Sequence, residues 1–395
     1  MSIKKTRREF LKVSAKASMA LPLLSTGFYS CNSKSGEKKE VAKAKKKKLN
    51  ILILGGTSFL GPHQIAYALG RGHSITTFTR GKTKPTIYTE LFDNVESLVG
   101  DRENDLKALE NRKWDAVIDN SGRKVEWTRK TAELLNHSCK LYLYVSSTGV
   151  FYPYVNSDFT ETSKVALTVP DDATDNERYE YDYGVMKANS ELIAAEYFGP
   201  SRTIVVRPTY MLGPADRTDR FVHWPIRLSV AGAMYFSKEV LVPGKPDDPV
   251  QYVDVRDAAE FMIRLIEDEN AGTYNVVGPS QPQGMLDFVN ETAAAFGVDH
   301  KIVSIDDYDF LEKNEIYYSI PWIMPTDDHY GTARINNSKA KANGLTYRPL
   351  KQTVKDTKDW WVSDAVSETR RKNYLTNPNS LHNREASLLE AWKNR

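Results

Sequence analysis

The sequence predicts a doubly wound α/β fold, a parallel sheet covered by helices on both faces, followed by a smaller mixed lobe toward the C-terminus. Three observations carry that reading. From residue 49, short runs rich in β-branched residues alternate with amphipathic helical stretches, the pattern of βαβ units. The first run, Ile51-Leu52-Ile53-Leu54, is apolar at every position, as expected for a central parallel strand buried on both faces. It leads straight into Gly55-Gly56-Thr57-Ser58-Phe59-Leu60-Gly61, a glycine-bearing strand-to-helix turn.

The elements follow in order. Gly61-Pro62 opens a helix through Ile65, Ala66 and Leu69, since proline is tolerated in a first turn, and Gly70 and Gly72 close it. Residues 74–79 are a second strand, 95–99 a third, 116–119 a fourth, 141–146 a fifth, and 202–207, containing Ile204-Val205-Val206, a sixth. After Pro208 the pattern becomes irregular. Loops rich in proline and aromatics, at 221–225 and 317–325, alternate with helices at 258–267 and 286–296. The expected division is an α/β domain over 49–215, rejoined by later segments such as 250–277. A lobe over 216–350 would close a cleft, and 351–395 would be a helical tail.

Charge is distributed unevenly. The 395 residues carry a net +3, but the first 48 hold 14 Lys/Arg and 3 Asp/Glu, leaving 40 basic against 48 acidic residues, a net of −8, in the remainder. An acidic folded part argues against nonspecific nucleic-acid binding. In the leader, Thr6-Arg7-Arg8-Glu9-Phe10-Leu11-Lys12 precedes a modestly apolar stretch over 13–28, the pattern of a twin-arginine export signal. Lys16 and several serines make that stretch too short and polar for a stable membrane span. Cys31, after Ser30, is a candidate lipid-attachment cysteine, although Phe28 and Tyr29 are bulky for that cleavage pattern. Residues 1–31 then form the signal peptide and the Lys-rich 32–48 a tether. The expectation is export by the twin-arginine machinery to the periplasm, with Cys31 as the residue that would anchor the protein to the membrane. Cys139 is the one cysteine left after the leader, so the mature part has no internal disulfide. The seven histidines show no pairing that suggests a metal site.

Two motifs carry chemistry. A turn feeding a helix N-terminus can receive a pyrophosphate. Gly55 permits the tight turn and Gly61 lets the helix approach closely. Ser58 stands where the usual pattern has its middle glycine, and is small enough for phosphate to approach. Thr57, Phe59 and Leu60 complete the loop. The second strand ends Phe78-Thr79-Arg80-Gly81-Lys82, with no carboxylate for the ribose hydroxyl that NAD presents. Arg80 and Lys82 would suit the 2′-phosphate of NADP, unless Arg80 stacks on adenine or is merely solvated. Asp101, beside Arg102 after the third strand, is placed to accept from an adenine amino group. Asn120-Ser121-Gly122 ends the fourth strand with small residues where a cofactor passes close to backbone, and Pro208 follows the sixth.

The second motif is Tyr183-Gly184-Val185-Met186-Lys187, a phenol and an ammonium one helical turn apart on one face. Upstream, the fifth strand ends Ser146-Ser147-Thr148-Gly149, where the Ser147 hydroxyl can align a substrate oxygen with the phenol. A free tyrosine is a poor base at neutral pH. A neighbouring ammonium and an oxidised nicotinamide, both cationic, favour its phenolate. Alone, a Tyr–Lys pair is an ordinary exposed helix face; with the glycine turn and Ser147 before it, it reads as a redox acid/base pair. Thr148, Arg220, His223, Trp224 and Arg256 are candidate substrate contacts, weighed against lobe packing and surface ion pairs.

These residues resemble the extended short-chain dehydrogenase/reductases, the NAD-dependent epimerase/dehydratase group, from residue 50 to about 350. The resemblance rests on the glycine turn, Asp101, Ser147 before Thr148-Gly149-Val150, Tyr183 with Lys187, Arg207-Pro208-Thr209-Tyr210-Met211-Leu212-Gly213-Pro214, and Val253-Asp254-Val255-Arg256-Asp257. It implies a Rossmann-type fold, Tyr183 as base, Lys187 as its tuner and ribose binder, and Ser147 as substrate hydrogen-bond partner. It also implies that two copies pair through the helices following the fourth and fifth strands. The Gly-Gly-Thr-x-Phe-Leu-Gly form is similar as well to the chloroplast stem-loop RNA-binding branch of the superfamily. Sugar-nucleotide dehydratases of the family have an Asp-Glu pair where this chain has Thr148-Gly149, which disfavours dehydration. The expected function is an exported NAD(P)-dependent enzyme that uses no metal and acts on a sugar-like substrate. Epimerisation is preferred to carbonyl reduction, and a noncatalytic RNA-binding protein is the rival from another class.

Overall fold

The computed structural model describes residues 47–120, 122–232 and 236–395. The expected export signal, Cys31, nearly all of the tether, and Ser121 lie outside the described residues. In chain order the strands used below are β1 (Asn50–Leu54), β2 (Ser74–Thr79), β3 (Val95–Val99), β4 (Trp114–Asp119), β5 (Cys139–Val145), β6 (Thr203–Pro208), β7 (Met211–Leu212), β8 (Glu239–Pro243), β9 (Val253–Asp254), β10 (Gly272–Val276) and β11 (Lys301–Ile305). The helices are α1 (Leu60–Gly70), α2 (Val125–Leu135), α3 (Asp175–Phe198), α4 (His223–Ser229), α5 (Val255–Glu267), α6 (Met285–Ala294), α7 (Tyr308–Lys313), α8 (Ser338–Ala342), α9 (Leu350–Val362), α10 (Glu368–Thr376) and α11 (Leu381–Lys393).

Seven strands form one parallel sheet in the order β10-β6-β5-β4-β1-β2-β3. This is a Rossmann-type, doubly wound order. The chain reverses direction across the sheet between β1 and β4, and ligand crevices form beyond the carboxyl ends of the strands at such a switch point. The side-chain alternation of β1 explains why both faces are covered. Ile51 and Ile53 pack into a core with Ile65 and Ala68 of α1 and Phe261 and Met262 of α5. Leu52 and Leu54 pack into another with Ala132 and Leu135 of α2 and Ala194 and Phe198 of α3. All four are fully buried, each worth roughly 1.5–3 kcal/mol over exposure.

The lobe after Pro208 has its own core. β8 and β11 pair in parallel, and Phe221, Trp224, Val240, Leu241, Phe288 and Trp322 pack there. The tail contributes to that core through Val354 of α9 and Leu388 and Leu389 of α11. The helix expected from 258 begins three residues earlier, because the Asp254 side chain caps it by accepting the Arg256 N–H at 2.8 Å.

Candidate active site

The glycine turn leaves β1 with Gly55 at φ 99° and Gly56 at φ 107°, both in the region that L side chains avoid. The Gly55 N–H donates to the Phe78 carbonyl at 2.9 Å, fastening the turn to the end of β2. A Cβ on Gly61 would lie 2.3 Å from Gly56 Cα, so α1 starts against the backbone of the turn and nothing larger than glycine fits. Phe59 holds φ 45° at the N-cap of α1 with no side-chain cap, a costly conformation for a residue with a Cβ. The result is a tight backbone loop opening onto a helix N-terminus, which fits a pyrophosphate. Arg80, exposed at the end of neighbouring β2, stands beside it.

The Tyr183 side of the crevice is built by β5 and α3. The Ser147 hydroxyl accepts the Gly149 N–H at 3.0 Å and so caps the short turn over Thr148–Phe151. A Cβ on Gly149 would lie 2.9 Å from Cε1 of Tyr183 and 3.3 Å from Ser147 Oγ. The absent side chain thus lets the phenol ring and the serine hydroxyl both come close to Gly149. Tyr183 is 46% exposed. Lys187, one turn on, is buried, donates to the Val145 carbonyl at 2.9 Å, and holds its Nζ 5.0 Å from the Tyr144 ring centre and 6.0 Å from that of Tyr183. Burial pushes its pKa down to about 8, against the pull of Asp119. Thr148 is buried, with its hydroxyl donating to the Pro208 carbonyl at 3.4 Å.

The helix that carries the pair begins well before Tyr183. It starts at Asp175, where Thr174 and Glu177 form a reciprocal cap, Thr174 N–H to the Glu177 carboxylate at 2.7 Å and Glu177 N–H to the Thr174 hydroxyl at 3.4 Å. Tyr183 therefore sits in the third turn of α3, where fraying cannot displace it. Tyr210, after β6, shares the space around Tyr183. Burial raises it to about 12 against the charge of Arg220, whose guanidinium stacks over its ring at 5.2 Å. Arg220 is exposed and donates through Nε to Thr218.

Several expected contacts have other work. Arg102 is buried rather than turned to a cofactor. It donates to both Asp119 oxygens at 2.5 and 2.8 Å, to the Trp127 carbonyl and to the Thr131 hydroxyl. Burial alone would raise Asp119, but the Arg102 charge and hydrogen bonds outweigh it and hold that carboxyl below its usual range. Trp224 is fully buried and donates to the Ser319 carbonyl at 3.4 Å, so it belongs to the lobe core and not to a substrate surface. His223 is buried against it, ring centres 4.9 Å apart, and burial pushes its pKa down to about 3. Arg256 is held by Asp254 and Asp356. Asp101 spends one oxygen on the Glu103 N–H at 2.8 Å. Asn120 exchanges amide hydrogen bonds with Gln64 of α1, at 2.6 and 3.3 Å. Gly122 is buried and its carbonyl accepts from Tyr144 at 3.4 Å.

Sequence reasoning passed over Glu191 and Tyr144. Glu191 takes a bidentate contact from Arg207 at 2.9 and 2.6 Å and the hydroxyl of Ser146, fixing the residue next to Ser147. Its position one turn beyond Lys187 on the same helix face was the available signal. Among the described residues no group of three or more His, Cys, Asp or Glu is placed to hold a metal, and no helix is long and apolar enough to cross a membrane.

The glycine turn at the end of β1 and the Tyr–Lys pair beside the end of β5 both lie at the carboxyl ends of strands in one Rossmann-type sheet. The chain belongs to the NAD dependent epimerase/dehydratase family, whose profile matches residues 51–277. Among curated proteins it is similar to the chloroplast stem-loop binding protein of 41 kDa b of Arabidopsis thaliana, 27% identical over 243 residues, 58% of each chain. The match thus spans less than two thirds of that relative. Among solved structures, UDP-glucose 4-epimerase from Bifidobacterium longum, in complex with NAD+ and UDP, matches with a TM-score of 0.55 at 17% identity, over 80% of this chain and 98% of that one. The Bordetella bronchiseptica enzyme WbmG in complex with NAD matches with a TM-score of 0.56 at 15% identity, over 83% and 99%. dTDP-glucose 4,6-dehydratase from Bacillus anthracis in complex with NAD matches with a TM-score of 0.55 at 17% identity, over 79% and 96%. At these identities the likeness is one of fold.

Proposed function

We propose that the chain is an exported NAD(P)-dependent enzyme that epimerises a sugar or sugar-derived substrate. The observation that carries the reading is Tyr183, exposed, with the buried Lys187 ammonium 6.0 Å from its ring centre and Ser147 close to the same Gly149. The glycine turn with Thr57, Ser58, Phe59 and Leu60 would hold the pyrophosphate, Asp101 would face the adenine with its second oxygen, and Lys187 and Pro208 would border the nicotinamide ribose. When bound, the cofactor supplies the centre that accepts or returns a hydride.

The protein moves the proton and fixes the geometry. Tyr183 takes the proton of a substrate hydroxyl and returns it. Ser147 already accepts from the Gly149 amide, which leaves its own O–H to donate to that substrate oxygen. Arg220, stacked on Tyr210, is the lobe residue we assign to substrate orientation. Thr148 and Gly149 offer no carboxylate where a dehydratase needs one, so elimination of water is disfavoured. Epimerisation is preferred to net reduction because it regenerates the cofactor within each turnover, which suits an exported enzyme away from a nicotinamide supply. The NAD and UDP in similar solved structures support a dinucleotide in the turn and a sugar-bearing substrate at Tyr183.

Native mass spectrometry of the protein purified from its own cells tests this reading. We expect about one equivalent of nicotinamide nucleotide per chain, retained through export. Recovery below about a tenth of an equivalent, far from one-site saturation, would overturn the retained-cofactor reading and remove the reason to prefer epimerisation. The nucleotide's identity bears on Arg80. We expect Arg80→Ala to weaken NADP far more than NAD, because a charge-assisted contact is lost for only one of them. Equal changes in the two dissociation constants would reduce Arg80 to a surface residue and favour NAD.

A second reading, RNA binding, is favoured by the 27% identical stem-loop binding relative. The −8 balance of the chain after residue 48 opposes it. A gel shift with stem-loop RNA that weakens steeply with salt would revive it.

A further inference from the structure

Lys187 carries a buried charge that no carboxylate contacts directly, although Asp119 acts on it through space. Among the described residues no Asp or Glu lies within ion-pair distance of its Nζ, and the two nearby acids are already engaged. Asp119 is held by Arg102 at 2.5 and 2.8 Å and also accepts from the Tyr142 hydroxyl at 2.7 Å. Glu191 is held by Arg207 at 2.9 and 2.6 Å. Asp119 and, more weakly, Glu191 still favour the ammonium through space, while Arg102 and Arg123 oppose it. What faces the ammonium is one carbonyl, that of Val145, and two aromatic rings, Tyr144 at 5.0 Å and Tyr183 at 6.0 Å.

The Tyr144 ring is fixed in that place. It is fully buried, and its hydroxyl donates to the Gly122 carbonyl at 3.4 Å. Its edge fills the space where Gly122 has no side chain, since a Cβ there would lie 2.8 Å from Cε2. Burial also raises this phenol well above its ordinary range, so the ring stays neutral. Its attraction for the ammonium is therefore that of an aromatic face for a cation.

We propose that Tyr144 is a positioning residue of the acid/base pair, whose ring face keeps Lys187 in its ammonium form beside Tyr183 without cancelling the charge. A carboxylate in the same place would hold the ammonium equally well, but the resulting ion pair would be nearly neutral when felt from the phenol. An aromatic quadrupole acts at short range and leaves a full positive charge to act on Tyr183. The consequence for Tyr183 rests on the catalytic reading above; the hold of Tyr144 on Lys187 does not.

The test reads Lys187 directly and needs no substrate. The full chain, loaded with NAD and labelled with 13C-lysine, is titrated by NMR, with the Lys187 resonance assigned by its loss in Lys187→Met. In Tyr144→Leu the Lys187 midpoint should fall by about one pH unit, the scale of a desolvated cation–ring contact. In Tyr144→Phe, which keeps the ring and loses only the hydroxyl with its contacts to Gly122 and Ser190, it should stay near the wild-type value. Tyr144→Met, also without a ring, gives the same reading should the leucine variant not fold. An unmoved midpoint in the ringless variants, or an equal fall in the phenylalanine variant, would overturn the proposal. A fall confined to the ringless variants in a protein whose Tyr183→Phe form is fully active would leave Tyr144 as a partner of Lys187 and refute the catalytic reading alone.

Discussion

Tyr183→Phe should reduce turnover by about 10²- to 10⁴-fold, the range for losing a positioned general acid/base, with little change in cofactor affinity or thermal stability. The expectation follows from where the hydroxyl lies. Tyr183 is 46% exposed, so removing its oxygen strands no buried partner and opens no cavity. The ring, which packs across Gly149 and faces Lys187 at 6.0 Å, is retained in phenylalanine. Loss of rate with retained folding and binding therefore isolates proton transfer from architecture. Near wild-type rates in the variant on an authentic substrate would remove Tyr183 from the mechanism. The companion variant Ser147→Ala loses the hydroxyl that caps the turn before Tyr183, so it should affect both stability and rate, which is why Tyr183 is the cleaner probe.

The sheet and the Tyr183 motif were legible for the same reason: each leaves a local signature. A strand buried on both faces must be apolar throughout, and Ile51 to Leu54 is. A tight turn against a helix start needs small residues, and Gly55, Gly56 and Gly61 supply them. Tyr183 and Lys187 share a face because four residues make about one helical turn. The true start of α3 was also in the sequence, in Thr174 and Glu177 three apart. The direction of a side chain leaving a loop or a helix of unknown orientation was not legible. Trp224 and His223 sit in an aromatic stretch that reads equally as a substrate wall and as lobe core; packing against Phe288 and Ser319 decides it, and both partners are distant in sequence. Arg256 likewise has its second carboxylate at Asp356, one hundred residues on.

Arg102 is the case where that ambiguity has the largest measurable consequence. Its neighbour Asp101 lies in the loop after β3, yet the Arg102 guanidinium runs inward to Asp119 at the end of β4. Breaking a buried pair by removing one partner leaves an uncompensated charge, which typically costs about 3–5 kcal/mol. Arg102→Met should therefore destabilise the fold by that order, with or without cofactor. Its pH dependence gives a second signature. In the wild type the Asp119 carboxyl titrates below its unfolded value of about 3.9. The stability it contributes is fully present above that pH and is lost as pH falls through the lower, folded value. In Arg102→Met the Tyr142 hydroxyl and the Lys187 charge still favour the carboxylate, but the largest counterweight to burial is gone, so the folded value should rise, and the penalty should be greatest near neutrality and shrink on acidification as Asp119 takes up a proton. The double variant Arg102→Met, Asp119→Asn removes the stranded charge and should recover part of the loss at neutral pH. Denaturant unfolding at several pH values measures all three. A single variant that unfolds like the wild type but binds nicotinamide nucleotide much more weakly would return Arg102 to the cofactor site.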